Sequence, residues 1–211
     1  MIPAQEALQR LRDGNRRFVA RLAEGGLPAR KLELTQEQRP FAIVLGCSDA
    51  RVPAELVFDQ GLGDLFVIRV AGNIVAPSQI GSIEFAASRF GTRLVVVLGH
   101  SQCGAVEATV EELQRPAAAQ SRNLRAIVDR VAPAVELLMR AGLQGPALHA
   151  SAVRANVSVS VNHLRHGSAL LEQLIQREGL LIVGAEYSIE TGRVEFLDGD
   201  AHAATLPAAA R

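Results

Sequence analysis

Phe41-Ala42-Ile43-Val44-Leu45-Gly46-Cys47-Ser48-Asp49-Ala50-Arg51-Val52-Pro53 sets an apolar run directly against a thiol, a carboxylate and a guanidinium. Further along, Val95-Val96-Val97-Leu98-Gly99 leads into His100-Ser101-Gln102-Cys103-Gly104 with the same grammar: apolar run, glycine, soft metal ligand, serine. The chain's two cysteines fall one in each segment. Short runs of branched aliphatics without strict alternation read as strands covered on both faces. Each segment is therefore read as a buried strand that delivers reactive side chains at its carboxyl end.

Working outward, strands are predicted over residues 41–45, 65–70, 94–98 and 180–183, each running into a glycine or small-residue turn at Gly46, Ala71-Gly72, Gly99 and Gly184. Helices over 79–89 and 103–113 flank the third strand. This alternation points to an α/β fold with a mostly parallel four-stranded sheet and helices on both faces. A hairpin around Glu190-Thr191-Gly192-Arg193 adds an antiparallel C-terminal strand over 194–197. Residues 121–140 read as a helix with Leu124, Ile127, Val128, Val131, Val135 and Leu138 on one side, and Pro133 is expected to kink or break it. Residues 147–178 read as two helical pieces parting near His166-Gly167-Ser168. Val157–Val161 alternates like a strand, but Val153, Val157, Val161 and Leu164 carry a helical spacing across it. Residues 4–24 read as an amphipathic helix within an expected N-terminal helical arm over 1–28, and the alanine-rich 198–211 is expected to be a mobile tail.

Composition narrows the function. A chain of 211 residues supports one substantial core, so a single domain over 1–211 is expected. Basic and acidic residues balance at 22 each with no like-charge block, which argues against a nucleic-acid or acidic-lipid partner. No apolar run is long enough for a membrane span, and the charged first residues lack a signal-peptide core, so a cytoplasmic protein is expected. Two cysteines in such a chain point to reduced thiols or metal ligands more than to a disulfide framework.

Zinc takes tetrahedral nitrogen and sulfur ligands, and catalytic sites keep one position for water or substrate. Cys47, His100 and Cys103 offer two thiolates and an imidazole at strand ends, where open α/β sheets bind their ligands. Asp49 can either complete the tetrahedron or turn to Arg51 and leave the fourth position to water. Taken singly, each cysteine also reads as a small buried hydrophobe and the histidine as a packing residue. A Cys47–Cys103 disulfide would leave His100 and Asp49 unexplained. His149, His163, His166 and His202 are proton-shuttle candidates by residue type only, and each reads equally as a surface or packing histidine.

Together the two motifs, Cys47-Ser48-Asp49-Ala50-Arg51-Val52-Pro53 and Gly99-His100-Ser101-Gln102-Cys103-Gly104, resemble those of bacterial-type β-class carbonic anhydrases. The likeness runs from Asp13-Gly14-Asn15-Arg16-Arg17-Phe18, through Phe58-Asp59-Gln60-Gly61 and Gly72-Asn73, to Gly184-Ala185-Glu186-Tyr187. The resemblance implies reversible hydration of carbon dioxide to bicarbonate and a proton by zinc-bound hydroxide, with one Zn2+ per subunit held by Cys47, His100 and Cys103. Asp49 and Arg51 would be the catalytic dyad, Asp49 becoming a fourth ligand only in a closed form. Gln38 falls where some members hydrogen-bond substrate. Phe66, Val70, Ala71 and Phe85 would line an apolar pocket for a nonpolar gas, with Gly104 also among the substrate-contacting positions. Phe85 stands where plant-like members carry tyrosine, so that hydroxyl is missing here. The family's arm packs across a partner subunit, which implies a homo-oligomer with a dimer as its minimum unit.

Members with bicarbonate-regulated closed sites tend to carry tryptophan three residues before the first cysteine. Val44 stands there instead, although Arg69 matches a residue that helps bind the regulatory ion, so an open resting site is expected. The competing readings are a carbonyl sulfide or carbon disulfide hydrolase on the same zinc site, and a structural or redox-sensing zinc protein. The ligand set itself carries a prediction. Two thiolates cancel the formal charge of Zn2+, whereas a site of three neutral histidines brings bound water to a pKa of about 7. Activity is therefore expected to need more alkaline pH, with the midpoint of a pH–rate profile above neutrality; a midpoint well below it would refute the thiolate argument.

Overall fold

A computed structural model of the chain describes residue 17, residues 38–115 and residues 121–197. The chain divides into two units, Met1–Gln38 and Arg39–Arg211, and the second holds every element named below. The expected arm over 1–28 and tail over 198–211 lie outside the described residues, except for Arg17, which is helical and exposed.

The elements of the second unit are β1 (Ala42–Gly46), α1 (Ala54–Val57), β2 (Leu65–Arg69), α2 (Pro77–Arg89), β3 (Leu94–His100), α3 (Gly104–Gln114), α4 (Arg122–Arg140), α5 (Gly145–His166), α6 (Ala169–Glu178), β4 (Leu181–Tyr187) and β5 (Val194–Phe196). A 3-10 turn, Ala71–Asn73, follows β2. The strands make one sheet in the order β2-β1-β3-β4-β5. Pairings β1–β2, β1–β3 and β3–β4 are parallel, and β4–β5 is antiparallel. This is the α/β sheet expected from the sequence, C-terminal antiparallel strand included.

The pleat sends Ile43, Leu45, Val95, Val97 and Ile182 to one face, where α2, α5 and α6 cover them with Ile83, Val157, Val161, Leu164 and Leu171. Val44, Val96, Leu98 and Ala185 point the other way, against Val52 and Ala54 of the α1 region. A third cluster forms beyond the strand ends. There Cys47, Ile74 and Cys103 meet Val106 and Val110 of α3, Val131 and Val135 of α4, and Ala152 and Val153 of α5. Because β1 pairs with β2 on one side and β3 on the other, connections diverge at the β1/β3 carboxyl ends. Such switch points in open parallel sheets leave a crevice for ligands.

Three details differ from the sequence reading, each for a packing reason. Gly46, Gly99 and Gly184 lie inside strands and not in turns after them. At Gly99 a Cβ would sit 2.5 Å from Val157 Cγ2 and 3.5 Å from Val153 Cγ1, so glycine is required because α5 crosses the strand there. α4 runs unbroken through Pro133, which faces solvent, where the carbonyl freed by its missing N–H can meet water while Val131, Ala134 and Val135 stay buried on the other side. Leu124, expected on the buried face of α4, is 58% exposed. The helical reading of 157–161 holds: Val153, Val157, Val161 and Leu164 are all buried along α5. Ser168 starts α6 by accepting a hydrogen bond from the Leu171 N–H, separating it from α5.

The α5–β3 contact can be tested. Gly99→Ala is expected to cost about 1–3 kcal/mol by overpacking. Val157→Ala opens a cavity of its own, yet the Gly99→Ala/Val157→Ala double variant should be less destabilised than the sum of the singles in chemical denaturation.

Candidate metal centre

β1 and β3 carry the centre at their adjoining carboxyl ends. Gly46 pairs with Leu98, so Cys47 leaves β1 beside the last residues of β3, where His100 is the final strand residue. Cys103 is the N-cap of α3. Gln102, just before it, has φ +52, a left-handed conformation that reverses the chain within one loop. The ligand atoms of Cys47, His100 and Cys103 all lie within 4.8 Å of one another, and all three residues are buried.

Geometry and protonation both fit a metal ion. The two sulfurs are 4.0 Å apart, far beyond disulfide bonding. Zn–S bonds of about 2.3 Å place the sulfurs of a tetrahedral site about 3.8 Å apart. His100 Nδ1 lies 2.8 Å from the Ser101 carbonyl, which can only accept, so Nδ1 carries the proton. Nε2 is then a bare lone pair, fully buried and without a hydrogen-bond partner. A buried acceptor in that condition costs free energy unless something binds it.

The sulfurs pose a matching electrostatic problem. The Cys103 thiol hydrogen-bonds to Cys47 and, against the upward push of burial, holds the Cys47 thiol well below the usual thiol range, with the Gly72 N–H adding its own bond at 3.3 Å. The same contact, with burial, pushes the Cys103 thiol up. Two neighbouring buried sulfurs cannot both ionise unaided, and a divalent cation removes that conflict.

Around the cluster, backbone and side chains are held tightly. Gly72 takes φ +69 so that its N–H can face Cys47, and its carbonyl accepts from Asn156 Nδ2 of α5 at 2.7 Å. Arg69 Nε donates to the Cys47 carbonyl at 2.9 Å and its Nη2 donates to the Asp49 carbonyl, so this side chain splints the loop after β1. Asp49 turns to Arg51. Oδ1 accepts from the Arg51 N–H and Nε, both at 2.9 Å, and Oδ2 accepts from Nη2 at 2.7 Å. This fork holds the Asp49 carboxyl well below the usual carboxylate range. Oδ2 lies 3.9 Å from His100 Nε2, so the carboxylate faces the cluster while bound to the guanidinium.

A family model described as carbonic anhydrase matches residues 42–194. The carbonic anhydrase of Mycolicibacterium smegmatis is 41% identical over 201 residues, covering 90% of this chain and 91% of its own. The chain belongs to the β-carbonic anhydrase family of enzymes. The solved structure of the β-carbonic anhydrase CcaA superposes with a TM-score of 0.77 at 28% identity, over 93% of this chain and 90% of its own. The tetrameric β-carbonic anhydrases of the filamentous ascomycete Sordaria macrospora share the fold, with a TM-score of 0.77 at 20% identity over 91% of this chain and 97% of theirs.

Not every residue expected in a β-carbonic anhydrase site gathers at the cluster. Val70 and Ala71 adjoin Gly72, and Gly104 opens α3 beside Cys103. Phe66 sits back along β2 opposite Ile43, and Phe85 lies on α2. Those two rings pack at 6.3 Å between centroids and join Phe90 at 6.0 and 5.6 Å, leaving Phe85 54% exposed. Gln38 is exposed and belongs to the unit Met1–Gln38. A cleft of about 480 Å³ opens instead on the α3–α5 side of Cys103, lined among others by Gln102, Glu107, His149 and Glu190. Sequence reasoning missed Asn156, Gly72 as a sulfur partner, and Glu190. Glu190 had been read only as a turn residue, yet it accepts from Ser101 Oγ and Gln102 Nε2 and its carboxyl is lowered to about 2 by those bonds, that from Ser101 foremost.

The cluster is expected to hold one divalent ion per chain. Loss of a residue that only supports a metal ligand typically costs about 10–100-fold in metal affinity, so Cys103→Ala, which removes a candidate ligand itself, should exceed that range in competition with a chromophoric chelator.

Proposed function

We propose that this chain catalyses the reversible hydration of carbon dioxide to bicarbonate and a proton, with a zinc ion held by Cys47, His100 and Cys103. The observation that carries the reading is the buried, unpartnered His100 Nε2 facing two sulfurs, with an ionised Asp49 held by Arg51 on its open side. A zinc ion bound there would supply the Lewis acidity that makes a water ligand nucleophilic, at a pH above neutrality for a site with two thiolates.

The chain's own residues do the rest. His100 keeps its proton on Nδ1 for the Ser101 carbonyl, which fixes the ring and leaves Nε2 for the metal. Asp49 stays a carboxylate because Arg51 donates three hydrogen bonds to it, and a carboxylate can only accept. At Oδ2 it would accept a hydrogen bond from the attacking water and orient that oxygen's lone pair toward carbon dioxide. Pairing of Asp49 with Arg51 supports an open resting site. Ile74, Val106 and Val153 beside the sulfurs limit water around them.

The reading includes a homo-oligomer, dimer at the least, in a reducing cytoplasm. Support for association comes from the exposed rings of Phe85 and Phe196 and from the tetrameric assembly of the Sordaria macrospora enzymes. Support for a reducing setting comes from the two free thiols. Among the described residues no helix is long and apolar enough to cross a membrane.

Asp49→Ala and Arg51→Ala are expected to keep their zinc and to lose about a hundredfold or more in kcat for carbon dioxide hydration, since each removes a positioned acceptor or its anchor. Stopped-flow assays with metal analysis on wild type and both variants decide this; full activity in both variants would refute the dyad.

A further inference from the structure

The β4–β5 turn reaches into the centre through one exposed side chain. Glu190 Oε2 accepts from Ser101 Oγ at 2.7 Å and from Ser188 Oγ at 3.0 Å, while Oε1 accepts from Gln102 Nε2 at 2.6 Å. The Ser101 hydroxyl oxygen in turn accepts from the Ile189 N–H at 3.0 Å, and the Ser101 N–H donates to the Tyr187 carbonyl at 2.9 Å. A single carboxylate thus grips the two residues that separate His100 from Cys103.

Both gripped residues hand their geometry on. The Ser101 carbonyl orients His100 through Nδ1. The Gln102 carbonyl accepts from Arg51 Nη2 at 3.1 Å, and that same nitrogen donates to Asp49 Oδ2. Gln102 must hold φ +52 to aim its carbonyl so, a conformation that residues with a Cβ adopt only when neighbours enforce it. Short hydrogen bonds to a carboxylate are among the strongest available for that purpose.

We propose that Glu190 is a positioning residue for the reaction: by clamping Ser101 and Gln102 it fixes the His100–Cys103 loop and, through the Gln102 carbonyl, sets the direction of the Arg51–Asp49 fork. It touches neither substrate nor metal. The inference rests on the function proposed above for the site, but the loop-clamping part of it does not.

Glu190→Ala, Glu190→Gln and Arg51→Lys, singly and as the Glu190→Ala/Arg51→Lys double variant, test it on the zinc-loaded full chain. Glu190→Ala should lower kcat for carbon dioxide hydration about tenfold at unchanged zinc content. Glu190→Gln, which keeps one acceptor oxygen, should recover part of the loss. In the Arg51→Lys background Glu190→Ala should cost little more, because its route to Asp49 is already broken. Unchanged kcat per zinc in Glu190→Ala, or the full tenfold loss repeated in the Arg51→Lys background, would overturn the proposal. Amide hydrogen exchange over residues 100–104 and at Ile189 is the readout independent of activity, and it should accelerate in Glu190→Ala. Unchanged exchange overturns the clamp. Accelerated exchange in a chain whose wild type hydrates no carbon dioxide would leave the clamp standing, overturn Glu190's role in this reaction, and sink the function proposed for the site.

Discussion

Parallel pairing of β1 with β3 is the constraint on which the rest depends. It lays two strand ends side by side and so joins sulfurs that are 56 positions apart in the chain. Parallel strands need long connections, here supplied by α1, β2 and α2, and both sheet faces are then free to be covered. The pairing is locked from one side by α5, which approaches so closely at Gly99 that no Cβ fits. Val153 of that same helix belongs to the apolar cluster around the cysteines, and its Asn156 holds Gly72. Core packing and ligand geometry are therefore properties of the same contact.

Charge is managed around the cluster by pairing each group with a directed partner. Asp49 is ionised because Arg51 encloses it, and Arg51 is steered by a backbone carbonyl as well as by Asp49. Arg69 spends its donors on the carbonyls of Cys47 and Asp49, which holds the loop without adding a free cation beside the sulfurs. The bare His100 nitrogen is left without a partner, and it shares one small volume with the two sulfurs, which bond to each other and to the Gly72 N–H. In low dielectric such a concentration of donors is stable chiefly when a cation sits among them.

Much of this was legible in the residues. Branched aliphatic runs marked the four parallel strands, because strands buried on both faces need little else. Cys47, Asp49, Arg51, His100 and Cys103 were legible because thiol, imidazole and carboxylate at repeated strand ends have few other uses. Pro133 misled, since its cost depends on which side of α4 meets water, and Leu124 misled because helical spacing does not show where a neighbouring helix ends. Phe66 and Phe85 were expected to line an apolar pocket; their rings pack with Phe90 beside the edge strand β2, where α2 lies against it.

The sequence by itself determined the element types, the mostly parallel sheet and the identity of the candidate ligand atoms, because these follow from local periodicity and from side-chain chemistry. Only the tertiary structure decided the strand order, the need for glycine at position 99, the turning of Asp49 to Arg51, and the reach of Glu190 into the loop between His100 and Cys103. Each of those depends on distances between segments remote in the chain. A hydrogen bond or a steric contact has effect over only a few ångströms, and the residue order alone does not say which segments come that close.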